Sequence, residues 1–312
     1  SYDYFATLYA QLQVVPFARF IPESEVTPLG VQTVREQLEK GVYERSDGAI
    51  VFAGEKVGLH TRVFINSEGI PTYEAKDVGL SLTKWDNYHF DKSVIITANE
   101  QEQYMQVVVA SIKQFAPEPA ERTTHLTHGM VKLQGGVKMS SRKGNVVTAL
   151  EILQAAREAG AKSGTNPSED TILAAIKYAF VRTRIGGDIV YDPAESIALE
   201  GNSGPYLQYA HARARSILGK ATQGDVALDT LESAERTLAR KMTEYAEVLE
   251  KAVAELMPHH VCTYLYELAQ EFNRFYEHNQ VIGDAREAIR LKLVKQYADV
   301  LKEGLEVLGI AA

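Results

Sequence analysis

The sequence predicts an α/β unit followed by an all-α bundle, and three observations carry that prediction. From Pro71 to about Gln134, helix-like and strand-like segments alternate, as expected of a parallel sheet built from strand–helix–strand units. From about Glu195 onward the pattern is almost wholly helical: four long periodic segments lie near 203–219, 225–256, 258–280 and 284–308, with breaks at Gly224, Pro258 and Gly283. Between the two regions sits "VKMSSRKGNVV" (137–147), where Lys138, Arg142 and Lys143 alternate with Ser140, Ser141 and Gly144.

The bulk composition narrows the function classes. At 312 residues, 45% hydrophobic and 24% charged, the chain is long enough for two or three units with their own cores. No apolar run approaches the roughly 18–20 residues of a membrane span, and no charged-then-apolar leader follows Ser1. A single cysteine, Cys262, excludes an intramolecular disulfide and a cysteine-based zinc site, and the expected compartment is the reducing cytoplasm. A net charge of −8 with pI ≈ 5.6 argues against indiscriminate nucleic-acid binding. It leaves room for a local basic or aromatic surface that docks one folded RNA.

Each element follows from its local text. In "VTPLGVQTVREQLEKG", Val31, Val34 and Leu38 recur at helical spacing and Gly41 supplies the stop. "GAIVFAG" and "LHTRVFINSEG" read as short strands closed by Gly- and Asn-containing turns. "TYEAKDVGLSLTKW" is helical, "DKSVIITANE" a buried strand through Val94, Ile95 and Ile96, and "EQYMQVVVASIKQF" a long amphipathic helix. "THLTHGMVKLQ" reads as one strand leading into the cationic loop. Thr148 and Glu151 then have capping-box spacing, and Ser168 is an N-cap for the helix after it.

Several residues are candidates for chemistry, each with a plainer alternative. Lysines and serines ahead of a helix N-terminus offer donors to a phosphate chain, though the loop also fits a solvated turn. It is neither G-x-x-x-x-G-K-[ST] nor G-x-G-x-x-G. Asn99, Glu100 and Gln101 follow an apolar strand, where α/β ligands bind, or else they cap the next helix. Tyr73 and Asp77, four apart, share a helix face suited to a guanidinium or ammonium group, or present one solvated carboxylate. Tyr206, Gln208, Tyr209, His211 and Arg213, with Tyr276 and His278, could stack unpaired bases, or the aromatics are bundle core. His259 and His260 lack further metal ligands nearby and read as a helix start.

Taken in order, these motifs resemble one family. "KMSSRKGNVV" is similar to the KMSKS loop of class I aminoacyl-tRNA synthetases. "PTYEAKDVGL", "ITANEQEQY", "THGMVKL", "GNSGPYLQYAHAR", "LAQEFNRFYEH" and "EGLEVLGI" together resemble the arginyl-tRNA synthetase family over essentially the whole chain. The resemblance implies that Tyr73, Asp77 and Gln101 contact L-arginine. It implies that Gly129, Met130 and Val131 hold adenine, and that Lys138, Ser140, Ser141, Arg142 and Lys143 close over the triphosphate of ATP with its Mg²⁺. It also implies that Tyr209, Arg213 and Tyr276 meet the anticodon loop of tRNA-Arg. No protein-held metal is implied.

Two departures from the family pattern stand out. Ser141 occupies the place of the second KMSKS lysine, so Arg142 or Lys143 supplies that charge. The H-x-G-H motif and the N-terminal tRNA-elbow domain have no counterpart in this text. The expected organisation is a partial catalytic domain with a β-rich insertion (1–70), the second half of a Rossmann-type nucleotide fold (71–147), a helical stem-contact linker (148–195) and an all-α anticodon-binding domain (196–312). The implied activity is ATP-dependent ligation of arginine to tRNA, impaired in this chain alone unless a missing half joins it. The competing readings are a non-catalytic tRNA-binding protein and another nucleotidyl transferase of the same superfamily.

Overall fold

In the computed structural model the described residues are 2–134, 148–164, 166–220 and 230–312. They form two units, one of Pro16–Met130 and one of Ser1–Val15 with Val131–Ala312. The loop residues 137–147 and Gly224 lie outside the described residues. Helix α1 (Tyr2–Gln11) belongs to the second of these units and buries Leu8 there.

The Pro16–Met130 unit starts with α2 (Glu23–Glu39), which the apolar spacing of Val26, Val34 and Leu38 turns inward and which Gly41 (φ 81) ends. Strands β1 (Glu44–Ser46), β2 (Ala49–Phe52) and β3 (Arg62–Ile65) make an antiparallel sheet in the order β1-β2-β3. Helix α3 (Tyr73–Tyr88) packs on α2 at unusually short range. A Cβ on Gly30 would lie 1.9 Å from the Ala75 carbonyl oxygen, and one on Gly79 would lie 2.2 Å from that of Val26. Next come β4 (Ser93–Ala98), α4 (Glu102–Lys113), α5 (Pro117–Glu121) and β5 (Thr123–His128), with β4 and β5 parallel and Ala98 paired to His128. Val34, Phe64, Val78, Val107 and Val108 are fully buried at the centre of this unit.

Two expectations need correction here. The strand through Val94, Ile95 and Ile96 forms, but Ile96 is 63% exposed and Val94 is exposed as well. Among the described residues β4 pairs only with β5, and only the Ile95 face joins the core, so the opposite face stays open. "THLTHGMVKLQ" is not one strand either: it breaks at Gly129–Met130 into β5 and β6 (Val131–Leu133), which pair with different strands.

In the other unit, β6 pairs in parallel with β7 (Ile189–Tyr191), a strand lying inside the segment expected to be helical. Helix α6 (Ala149–Lys162) has the expected capping box: the Glu151 amide donates to Thr148 Oγ1 at 3.2 Å and the Thr148 amide to Glu151 Oε2 at 2.6 Å. Helix α7 (Glu169–Val181) is capped by Ser168 and α8 (Pro193–Ser196) by Asp192. The bundle follows as α9 (Gly204–Gly219), α10 (Ser233–Thr243), α11 (Tyr245–Glu255), α12 (His259–His278) and α13 (Glu287–Val307). The stretch expected as one helix over 225–256 is thus two among the described residues, divided at Glu244 without a Gly or Pro to announce it. Tyr178, from α7, ties the start of the bundle together by donating to Asn202 Oδ1 (2.6 Å) and lying 3.0 Å from the Cys262 carbonyl. Cys262 is buried, and burial pushes its thiol up to about 12.

A closed ion network joins α10 to α13. Glu235 is fully buried. Its Oε1 accepts from Arg286 Nε (2.8 Å) and Arg290 Nε (3.0 Å), while its Oε2 accepts from Arg286 Nη2 (2.6 Å). Arg290, also buried, donates further to the Gln280 carbonyl (2.6 Å) and Glu232 Oε2 (3.2 Å), and its Nη1 lies 3.4 Å from Asp284 Oδ2. The Arg286 hydrogen bond, working against burial, holds the Glu235 carboxyl at about 2.

Candidate functional site

The first cluster grows from the first turns of α3 and α4, both within the Pro16–Met130 unit. Tyr73 is the first residue of α3 and is 65% exposed; the Lys76 ammonium sits 4.7 Å from its ring centre while pairing with Glu23 at 2.6 Å. One turn later, Asp77 is partly buried on the same face. The Tyr104 hydroxyl, from α4, donates to Asp77 Oδ2. Among the described residues Asp77 has no ion pair. Burial raises its pKa and the Tyr104 bond pulls it back down. Burial lowers the pKa of Lys84, opposed by the charge of Asp77.

Beside this pair, Glu74 is buried and meets Arg62 Nη1 at 3.4 Å. The Arg62 guanidinium lies 5.5 Å from the Tyr104 ring centre, and its Nε is buried without a partner. Glu74 therefore has an ion pair within the chain, and Asp77 has none among the described residues. A partly buried carboxylate bonded to the Tyr104 phenol, with the charge of Lys84 acting on it but no ion pair among the described residues, is suited to an external cation, a planar guanidinium above all.

The parallel β4–β5 pair places a second group of candidates. Because Ala98 and His128 are register partners, the turns after them leave the sheet side by side. After β4 comes a 3₁₀ turn (Asn99–Gln101), and Gln101 is exposed at the N-cap position of α4 without making a side-chain cap bond. After β5, Gly129 is buried and Met130 is 49% exposed, with His128 Nδ1 3.0 Å from the Gly129 carbonyl oxygen. Val131 opens β6 in the other unit. Lys138, Ser140, Ser141, Arg142 and Lys143 lie outside the described residues.

A third cluster lies on the bundle. Tyr209 and Arg213 lie one turn apart on α9, and the Arg213 guanidinium sits 4.8 Å from the ring centre of Tyr276 on α12. Tyr276 stacks in turn on buried Phe272 at 6.1 Å, and Tyr209 is 53% exposed. The arrangement offers one free aromatic face and one cation held against a second ring. Other aromatics of this stretch are structural: the Tyr206 hydroxyl accepts from Asn273 Nδ2 at 2.9 Å, and Tyr206 is partly buried against the core. His259 and His260 do begin α12, with His260 Nε2 2.7 Å from Glu255 Oε2; no metal-ligand group occurs among the described residues.

Sequence reasoning missed Tyr104, Glu74 and Arg62. Tyr104 stands next to Met105 and Val107 on an apolar helix face and reads there as core; only the fold shows that its hydroxyl meets a residue 27 positions away.

Comparison with known proteins identifies the setting of these clusters. Residues 3–192 match the family model of the class I tRNA synthetase (R) catalytic domain, and residues 207–312 match the DALR anticodon binding domain. The arginine–tRNA ligase of Parabacteroides distasonis is 30% identical over 321 residues, covering 95% of this chain and 54% of that protein. That of Flavobacterium psychrophilum is 31% identical over 330 residues, covering 99% and 55%. The chain thus spans about half the length of the curated relatives it matches. Among solved structures, Thermus thermophilus arginyl-tRNA synthetase superposes with a TM-score of 0.84 at 26% identity, covering 99% of this chain and 61% of that one. A Mycobacterium tuberculosis methionyl-tRNA synthetase gives 0.66 at 12% identity over 98% and 77%, a likeness of fold alone.

Proposed function

The chain belongs to the class I arginyl-tRNA synthetase family, and from that premise we propose that it is the part of such an enzyme that selects arginine, holds the nucleotide and reads the anticodon. The observation that carries this reading is Asp77, a partly buried carboxylate bonded to a phenol and with no ion pair among the described residues. The guanidinium of L-arginine would complete it, with Tyr73 and Gln101 taking further donors. A neutral analogue would leave the carboxylate unmatched, which is the strongest form of discrimination a polar site offers.

Gly129, Met130 and Val131 are assigned to adenine, at the end of β5 and the start of β6. Lys138, Ser140, Ser141, Arg142 and Lys143 are assigned to the triphosphate of ATP, which arrives with Mg²⁺ as substrate. In the first step an arginine carboxylate oxygen attacks the α-phosphorus, the bond to pyrophosphate breaks, and arginyl-adenylate forms. The cationic loop offsets the charge that builds on the departing pyrophosphate. In the second step a terminal hydroxyl of tRNA-Arg attacks the adenylate carbonyl and AMP leaves. Tyr209, Arg213 and Tyr276 are assigned to the single-stranded anticodon loop, by stacking and by charge. The boundaries near residues 70, 147 and 195 are proposed as the limits of these tasks, and the cytoplasm as their location.

The sequence carries no H-x-G-H segment, so these 312 residues taken alone are proposed to turn over poorly, the other half of the site coming from the same gene or in trans. The test pairs calorimetric titration of L-arginine and of citrulline into the chain with aminoacylation of tRNA-Arg by the chain alone. Arginine binding with citrulline rejected, and little turnover, is the expected result. Absence of arginine binding with tRNA binding retained would replace this proposal by the non-catalytic tRNA binder.

A further inference from the structure

We propose that Tyr104 is the positioning residue of the arginine site: its phenol anchors Asp77 by Oδ2 and leaves Oδ1 to the incoming guanidinium. This rests on the reading of Asp77 as the carboxylate that meets arginine.

The geometry supports the division of labour between the two carboxylate oxygens. A carboxylate on a helix surface can rotate and turn either oxygen outward. A second helix that grips one oxygen fixes the plane and direction of the other. Tyr104 is well placed for this, being 9% exposed in the core and carrying a single hydroxyl hydrogen, which Asp77 takes. Burial, and then the charge of Asp77, raise the pKa of that phenol, so it stays protonated and remains a donor. The Arg62 guanidinium over its ring and the apolar neighbours of α4 hold the ring itself.

The same bond helps keep Asp77 ionised. Burial favours the neutral acid, and a neutral acid cannot pair with a guanidinium; the Tyr104 hydroxyl acts in the opposite direction. The other groups around Asp77 are accounted for. On its own helix Glu74 raises the Asp77 pKa and Lys84 lowers it; Glu23 of α2, which also raises it, is paired with Lys76, and Glu74 is met by Arg62 of β3. On α5, Glu118 and Glu121 are engaged by Arg122 and Lys113, and Glu102 of α4 acts on His125. Of these elements, α4 supplies the only hydrogen bond to the Asp77 carboxylate among the described residues.

The experiment compares the chain with its Tyr104→Phe variant, which keeps the ring. The Asp77 carboxyl is titrated by carbon NMR, with Asp77→Asn to assign the signal, and arginine binding is followed across pH. The expected result is a higher Asp77 midpoint in Tyr104→Phe, with arginine affinity at pH 7 reduced about ten-fold, as for loss of a hydrogen bond to a charged group. The loss should grow toward acid pH. An unchanged midpoint would overturn the proposal even if the chain binds arginine. A raised midpoint in a chain that binds no arginine would retain the Tyr104–Asp77 linkage but overturn the arginine-site assignment. Should Tyr104→Phe not fold, 3-fluorotyrosine inserted at position 104, a stronger donor, should shift the Asp77 midpoint downward; no shift would count against the proposal.

Discussion

Two carboxylates, one in each unit, show how the same chemical group serves opposite ends. Glu235 is fully buried and accepts four hydrogen bonds inside the bundle, three from Arg286 and Arg290 and one from the Glu232 amide. Asp77 is less buried, meets only a phenol, and has no arginine of its own. Their pKa values move in opposite directions as a result, down to about 2 for Glu235 and upward for Asp77. A satisfied carboxylate fixes two helices together. An unsatisfied one costs stability, and a fold retains such a cost where a ligand will relieve it.

The largest effect that sharpens this contrast is expected for Glu235→Gln, which leaves Arg286 and Arg290 without their shared anion. Denaturant unfolding should show a loss of about 3 kcal/mol, as for breaking a buried pair from one side. The pH dependence follows from the depressed value. The Glu235 contribution is full above the ordinary carboxylate range and is lost as pH falls toward about 2. Acid unfolding of Glu235→Gln should therefore be shallower than that of the parent chain.

Asp77→Asn should behave in the opposite way. Because the native pKa is raised, protonation of Asp77 favours the folded state at low pH, and that advantage disappears as pH rises through the raised value. Removing the charge should leave the unfolding midpoint at neutral pH level or higher, while calorimetry shows arginine binding weakened by about 2 kcal/mol. A destabilised Asp77→Asn chain with intact arginine binding would break the comparison.

Much of this contrast was legible in the sequence, though unevenly. Helical spacing put Tyr73 and Asp77 on one face, and Thr148 with Glu151 announced a cap, because both signals act within one turn of chain. Tyr104 was not legible, since its partner is set by how α3 packs on α4. Nor was β7: three residues after a Gly-Gly pair have no strand signature until β6 lies beside them. The exposure of Ile96 was hidden for a related reason, because an apolar run cannot say which of its faces the rest of the chain covers.

Smaller effects test whether the bundle divides in the same way between structure and recognition. Tyr276→Leu removes the ring under Arg213 but keeps apolar bulk against Phe272. Filter binding should show tRNA affinity lowered by about 1 kcal/mol, the lower range for loss of one stacking or cation–π platform, with a smaller change in thermal stability. Smallest of all, Lys295→Ala deletes an exposed pair with Asp299 at 2.6 Å. Its unfolding free energy should move by less than about 0.5 kcal/mol. A larger change there would show that solvent exposure does not separate the weak pairs from the strong ones in this protein.

The two glycines where α2 meets α3 have a consequence for how such a protein can diverge. Positions 30 and 79 admit a one-letter alphabet, since any side chain would collide with a main-chain carbonyl of the facing helix. A replacement at either must part α2 from α3, the helix that carries Tyr73 and Asp77. On the reading proposed for Asp77, substrate preference is exposed to drift from residues that never approach a substrate, and a mutational library confined to the proposed arginine site would overlook these two positions.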